Sequence, residues 1–221
     1  MEASSIGVKP EWTCLLIIDM QNAFCHEKGN VAKRLNTEPC RQIIPYVANL
    51  KKFCKSKAIP VIYTKQEHWR EDGDAVRRLH RMTPKPGSHL YNRAILNHPA
   101  TKGTWDSDFV EDLVPEPDDH VITKNKFSAF YQTNLEYILK VLGRSVILVT
   151  GVNTNTCVES TIRDAYHRDY DAILVSDCVA APAQVKNLHD ATLQNVDRYF
   201  GFVASSHEIK SSLAAMERSA D

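Results

Sequence analysis

Six short apolar segments recur along the chain, and the first five lack the polar alternation of a strand with one exposed face. An unbroken apolar run of this length is typical of a strand that is covered on both faces. The segments are residues 13–19, 59–64, 120–124, 145–151, 171–177 and, less clearly, 199–205. They predict a six-stranded, mainly parallel sheet, because parallel sheets are the ones buried on both faces.

The intervals between these strands carry helical periodicity. The predicted helices cover residues 39–57, 133–142, 157–168 and 185–196. Alternation of strands and helices favours an open, doubly wound α/β sheet, and we see one domain over residues 1–221. Residues 66–118 are the exception, since they are rich in Arg, His and Pro with little periodicity. We expect them to form an excursion over the sheet edge, with a short helix at 107–113.

The charge balance narrows the class of ligand. The 221 residues include 27 basic and 27 acidic side chains. A chain without net positive charge lacks the electrostatic footprint of nucleic-acid or anionic-membrane binding, so a small-molecule ligand is expected. No apolar run reaches the roughly 18 to 20 residues of a membrane span, and the first residues lack a signal-peptide pattern, so we expect a cytoplasmic protein. The six cysteines have no zinc spacing, and five of them are expected to be reduced, mostly buried thiols.

Three chemically capable residues follow predicted strands. Asp19 ends the first strand, Lys124 ends the third, and the fourth runs through GVNTNT into Cys157. Open parallel sheets bind ligands outside the carboxyl ends of their strands, so an acid, an amine and a thiol are predicted to converge on one crevice. Each residue alone has an ordinary structural explanation, as a turn, a surface charge or a core side chain.

The residues around Cys157 predict its reactivity. Thr156 and Glu159 fit a capping box, which would place Cys157 in the first turn of a helix. There the helix dipole and a charged Lys124 would favour the thiolate. Asp19 could take the thiol proton and later return it to a leaving amine, and we expect its replacement by Asn to affect activity with little change in stability.

Longer segments carry a family resemblance. LLIIDMQNAF, KNKFSAFYQTNLEYIL and VILVTGVNTNTCVESTIRDAYHRDYDAILVSD resemble, in order and spacing, the isochorismatase-like cysteine hydrolases, over about residues 13–205. The resemblance implies a three-layer α/β/α fold and hydrolysis of a small amide through a thioester. It also implies an Asp, Lys, Cys triad at Asp19, Lys124 and Cys157, with Lys126 as the competitor for the lysine role.

The same resemblance implies further features of the site. A non-proline cis peptide is expected at Val152-Asn153, aiming the backbone N–H of Asn153, with that of Cys157, at a developing oxyanion. Relatives of this kind also imply a homo-oligomer, a dimer or a tetramer, with no cofactor.

Substrate class rests on finer features. Nicotinamidases resemble the chain at YTKQEHW but bind a metal through an Asp-x-His pair; here Gln66 replaces the aspartate, so no metal is expected. The stretch KGTWDSDFVEDLVPEPDD resembles ureidoacrylate amidohydrolases and, somewhat less closely, enzymes that act on N-carbamoyl acids. A primary-amide hydrolase and a non-catalytic small-molecule-binding protein remain the alternatives. The candidate substrate-binding residues are amides and aromatic side chains: Asn22, Phe24, Trp69, Trp105, Gln132 and Asn153.

Overall fold

A computed structural model describes residues 8–68 and 100–218. Its centre is a six-stranded sheet in which every neighbouring pair is parallel. The strands are β1 (Thr13–Ile18), β2 (Val61–Gln66), β3 (His120–Lys124), β4 (Val146–Val152), β5 (Asp171–Ala180) and β6 (Phe202–Ala204). Their order across the sheet is β3-β2-β1-β4-β5-β6. The predicted doubly wound α/β fold is therefore confirmed.

The described helices connect and flank these strands. They are α1 (Asn22–Cys25), α2 (Glu38–Gln42), α3 (Ile44–Ser56), α4 (Leu135–Val141), α5 (Glu159–Tyr166), α6 (Lys186–Asn195) and α7 (Ser206–Arg218). The predicted helix at 39–57 is divided at Ile43, because Pro45 lacks the N–H that a continuous helix would need. The predicted short helix at 107–113 consists of two 3-10 turns, Trp105–Ser107 and Glu111–Leu113.

Two separate cores lie against the two faces of the sheet. Along β1, Leu15 and Ile17 belong to one core, while Leu16 and Ile18 belong to the other. This alternation follows from the two-residue period of a strand. The first core packs α3 and α7 against the sheet, and the second packs α4 and α5. The strands are thus covered on both faces, which explains their unbroken apolar sequences.

The strand order reverses between β1 and β4, and this is the place where such sheets open a crevice at their carboxyl edge. The two strands approach closely there, since a Cβ on Gly151 would lie 2.0 Å from the Ile18 carbonyl oxygen. Gly151 also has a positive φ of 105°, which favours glycine. Among the described residues, no helix is long and apolar enough to cross a membrane.

Candidate active site

Asp19 stands immediately after β1, in a left-handed backbone conformation with φ of 51°. Its side chain is fully buried beside β2. The Thr64 hydroxyl donates to Asp19 Oδ1 at 2.6 Å, and the Asp19 backbone N–H points at the Thr64 hydroxyl oxygen at 3.2 Å. Because one residue of the neighbouring strand binds both its side chain and its backbone, the carboxylate has a fixed direction.

Lys124 is the last residue of β3 and reaches across β2 to Asp19. Its Nζ lies 2.7 Å from Asp19 Oδ2 and donates to Gln66 Oε1 at 2.6 Å and to the Lys126 carbonyl oxygen at 3.1 Å. Burial alone would lower the pKa of the Lys124 ammonium, but its interactions, above all with the Asp19 charge and then with Cys157, outweigh burial and raise that pKa above its usual value. The buried Lys124 side chain therefore favours its charged ammonium form. Lys126, the competing lysine, contributes its backbone carbonyl.

Cys157 completes the cluster, with its Sγ 3.4 Å from Lys124 Nζ. The residue lies in a π-helical turn, Thr154–Val158, that links β4 to α5. The predicted capping box is wrong: the Thr156 hydroxyl donates weakly to the Asn153 carbonyl oxygen at 3.5 Å, and Glu159 accepts hydrogen bonds from Arg163 and the Thr192 hydroxyl.

The electrostatics of the thiol differ from the sequence prediction. Burial raises the pKa of Cys157 to about 12, against a lowering by the charge of Lys124 and with a further raising by the carboxylate of Asp19. Lys124 acts in the expected direction, but desolvation outweighs it, so the protonated thiol is favoured. A neutral thiol needs a base, and the candidate is the Asp19 carboxylate, which lies beside the same lysine as the sulfur.

The loop before Cys157 contains the expected cis peptide, at Val152-Asn153. The backbone N–H groups of Thr156 and Val158 both point at the Asn153 carbonyl oxygen, at 3.0 and 3.3 Å, and close the turn. The Asn153 side chain faces α2, with its Oδ1 3.9 Å from Cys40 Sγ. The backbone N–H of Asn153 is therefore a better candidate for contact with a substrate than its side chain.

The other candidate substrate-binding residues are dispersed. Asn22 is buried and donates its side-chain N–H to the Trp105 carbonyl oxygen at 3.0 Å. Trp105 is half exposed, with its ring edge-on to His26. Phe24 packs against the first core, so its interpretation as a pocket wall is not supported. Gln132 is exposed, and Trp69 lies outside the described residues.

Two buried glutamines form part of the cluster although the sequence did not indicate it. Gln66 is paired in the sheet with Lys124 and accepts from its ammonium. Gln21 holds the Gln66 backbone, accepting from its N–H at 2.8 Å and donating to its carbonyl oxygen at 2.9 Å. The sheet register was the signal that could have revealed Gln66. Among residues 8–68 and 100–215, no group of three or more His, Cys, Asp or Glu side chains is placed to hold a metal ion.

A buried acid, lysine and thiol at the carboxyl edge of a parallel sheet define a hydrolase-like site, and comparison identifies the family. Residues 13–208 match the isochorismatase domain, and the chain belongs to the isochorismatase family. It is 30% identical to a ureidoacrylate amidohydrolase (RutB) of Methylobacterium radiotolerans, over 96% of this chain and 84% of that protein. Identity to the enzyme of the same name from Rhizobium rhizogenes is 31%, over 92% and 84%.

Solved structures agree with the fold. A cysteine hydrolase from Pseudomonas syringae pv. phaseolicola superposes with a TM-score of 0.80 at 24% identity, covering 94% of this chain and 95% of that one. An N-carbamoylsarcosine amidase from Thermoplasma acidophilum gives 0.68 at 27% identity, covering 88% and 96%. The predicted family is confirmed, and these named relatives belong to the predicted class, hydrolases of C–N bonds other than peptide bonds.

Proposed function

We propose that the protein hydrolyses a C–N bond of a small ureido substrate, of the ureidoacrylate or N-carbamoyl type, through a thioester on Cys157. The observation that carries the proposal is the buried contact of Asp19, Lys124 and Cys157 at the carboxyl edge of the sheet. The names of its relatives, ureidoacrylate amidohydrolase and N-carbamoylsarcosine amidase, support the substrate class.

In the first half of the reaction, the Asp19 carboxylate takes the proton of the Cys157 thiol, and both groups lie beside the Lys124 ammonium. The sulfur attacks the carbonyl carbon, and the backbone N–H groups of Asn153 and Cys157 stabilise the oxyanion. When the C–N bond breaks, the Asp19 carboxyl group protonates the leaving nitrogen. A thioester remains, and the leaving group is ammonia or an amine.

In the second half, a water molecule attacks the thioester while Asp19 accepts one of its protons. The C–S bond breaks, the acid or carbamate leaves, and the proton on Asp19 returns to the sulfur. Lys124 keeps its proton throughout. Its positive charge stabilises first the Asp19 carboxylate and then the thiolate, in a buried site where electrostatic interactions are strong.

A substrate panel tests this proposal. Ammonia release is measured with ureidoacrylate, N-carbamoyl amino acids, nicotinamide and other primary amides, on the parent protein and on Cys157→Ala. Sites that hydrogen-bond a polar group reject analogues lacking it by about 10⁴-fold, so we expect kcat/KM for a ureido acid to exceed that for nicotinamide by at least about 10²-fold.

The panel also separates the alternatives. A preference for nicotinamide would overturn the ureido assignment but leave the cysteine chemistry intact. Full turnover by Cys157→Ala would overturn the thioester mechanism. Binding of a panel compound without turnover by the parent protein would identify a non-catalytic small-molecule-binding protein.

A further inference from the structure

Lys124 and Cys157 come from strands that are not neighbours. Lys124 ends β3 at one edge of the sheet, and Cys157 lies beyond β4, with β2 and β1 between the two strands. The hydrogen bonds of the sheet therefore do not by themselves fix the contact of Lys124 Nζ with Cys157 Sγ at 3.4 Å. A more direct connection leads from the lysine loop, residues 125–134, to the cysteine turn, Thr154–Val158.

The lysine loop lies against α5, which follows the cysteine turn. Ala129 of the loop belongs to the same core as Cys157. The Ala129 backbone N–H donates to Thr161 Oγ1 at 3.0 Å. The neighbouring Ser128 hydroxyl donates to the Asp164 carboxylate. Thr161 and Asp164 are three residues apart on α5, so both contacts bind the loop to one face of this helix.

The Thr161 hydroxyl continues this connection to the nucleophile. It donates to the Cys157 carbonyl oxygen at 2.7 Å while it accepts from the Ala129 N–H. A hydroxyl group has one donor and two acceptor sites, so it can make both hydrogen bonds at once. Threonines on helices can bind the carbonyl four residues earlier, but the bond from Ala129 comes from a different part of the chain. Thr161 and Ala129 are fully buried, so a broken bond would leave a buried polar group without a partner.

We propose that Thr161 is a positioning residue: it couples the lysine loop to the cysteine turn and thereby sets the contact between Lys124 and Cys157. A shift of the Cys157 backbone carries the sulfur with it. A shift of the loop carries Lys126, whose carbonyl oxygen binds the Lys124 ammonium at 3.1 Å. The catalytic consequence rests on the proposed function. The coupling itself does not, because it concerns the protein without substrate.

Thr161→Val tests the catalytic consequence, because valine has nearly the shape of threonine but lacks the hydroxyl. The Ala129 N–H and the Cys157 carbonyl then each lose a partner, so the loop and the turn should separate. We expect kcat to fall by about 10 to 10²-fold with KM little changed, because a catalytic group misplaced by about 1 Å can lose about 10²-fold in rate. Kinetics are measured on the panel compound that the parent protein turns over fastest. Thr161→Ser keeps the hydroxyl and should stay close to the parent kcat.

Thr150→Val is the matched control. Thr150 lies in β4 and is also fully buried, and its hydroxyl donates to the Leu16 carbonyl oxygen at 3.0 Å. The control therefore removes a buried hydroxyl that joins two strands, and it should leave kcat unchanged. Parent kcat in Thr161→Val would overturn the proposal. So would an equal loss of kcat in Thr161→Val and in either Thr161→Ser or Thr150→Val.

Amide hydrogen exchange, followed by NMR, tests the coupling without substrate. The exchange rate of Ala129 is divided by that of Val149, a buried residue of β4, so that a loss of overall stability does not by itself raise the ratio. In Thr161→Val the ratio should rise at least about fivefold, the factor for the net loss of one hydrogen bond. Thr161→Ser and Thr150→Val should not raise it. An unchanged ratio in Thr161→Val would overturn the coupling, whereas failure of the substrate panel alone would contradict only the proposed function.

Circular dichroism establishes whether each variant folds. If Thr161→Val does not, Thr161→Ala replaces it, because alanine favours helices and the Ala and Ser variants differ only by the hydroxyl. If neither folds, exchange in the unaltered protein decides. Ala129 lies in no helix or strand, yet its amide should exchange as slowly as the amides of the sheet. Exchange as fast as that of a freely exposed loop amide would contradict the bond to Thr161.

Discussion

Two of the lysine–carboxylate clusters in the described part of the chain differ in their contact with water. The site cluster joins Asp19 and Lys124, whose side chains are 1% and 0% exposed. The edge cluster links α3 to the segment before β3, and two of its carboxylates, Glu116 and Asp118, are 55% and 73% exposed. Its members are Lys51, Lys55, Glu116, Asp118 and Asp119.

Lysine–carboxylate pairs therefore serve different purposes in the two clusters. At the exposed carboxylates of the edge cluster, water can replace a lost partner, so an exposed pair contributes at most about 1 kcal/mol to stability. In the site cluster both side chains are buried, so removal of one partner leaves a buried charge uncompensated. The edge cluster joins two elements of the fold, while the site cluster determines where each proton resides.

Asp19→Asn should give the largest effect. Asn adopts a left-handed backbone as readily as Asp, so the change removes the charge and leaves the local geometry intact. We expect kcat to fall by about 10² to 10⁴-fold, because the general base is lost. We also expect the free energy of unfolding to fall by about 3 to 5 kcal/mol, because the Lys124 ammonium stays buried without its carboxylate.

Steady-state kinetics and urea unfolding measure both effects. The burial of this ion pair corrects the expectation, drawn from the sequence alone, of little change in stability. If Asp19→Asn turned over substrate near the parent rate, Asp19 would have only a structural role in the turn after β1. An unchanged free energy of unfolding together with reduced turnover would mean that Lys124 loses its charge in the variant.

In the edge cluster, Lys51→Met and Lys55→Met form a graded pair. The Lys51 side chain is 9% exposed and lies 2.9 Å from the buried Asp119 carboxylate, so its loss should cost about 1 to 3 kcal/mol of unfolding free energy. Lys55 is more exposed, and its loss should cost less than about 1 kcal/mol. Urea unfolding measures both, with turnover unchanged. If both substitutions lowered the free energy of unfolding equally, solvent exposure would not determine how much these ion pairs stabilise the protein.

The thiol of the site cluster should make stability sensitive to alkali. Burial raises the pKa of Cys157 to about 12 in the folded protein, whereas an unfolded thiol titrates near 8.5. The raised pKa stabilises the folded protein fully below about pH 8.5, and this contribution is lost as the pH rises toward 12.

Cys157→Ser removes this titration. Between pH 9 and 11 its unfolding free energy should fall less steeply than that of the parent, by about 1.4 kcal/mol per pH unit. Urea unfolding at several pH values compares the two slopes. If the unfolding free energies of both proteins fell equally steeply with pH, the thiol of the folded protein would have an ordinary pKa, and water would reach the site more than its burial indicates.

The sequence predicted the sheet because its physical cause is local. A strand covered on both faces is apolar at every position, and the third predicted strand, 120–124, agrees with the structure at both ends. The sixth was predicted at 199–205 but is only Phe202–Ala204, because residues 196–200 continue α6 as a π-helical turn. The positions of Asp19, Lys124 and Cys157 followed from the rule for strand ends.

Properties that depend on packing could not be predicted in this way. The pKa of Cys157 depends on how much protein surrounds the sulfur, and a capping pattern in the sequence carries no information on burial. Gln66 was interpreted only as the absence of a metal ligand. Its contact with Lys124 requires the register of β2 against β3, which the composition of neither strand specifies.

Gly151 has a consequence for anyone who redesigns this protein. Any side chain there would collide with the backbone of Ile18, the residue before Asp19, and would move β1 away from β4. Asp19 follows β1 and Cys157 lies in the turn after β4. The spacing between the general base and the sulfur therefore depends on the contact between β1 and β4 at Gly151, where not even a methyl group fits. In a mutagenesis library, position 151 is therefore best left constant, and diversity is better introduced in the loops around the crevice, where a change of shape leaves that spacing intact.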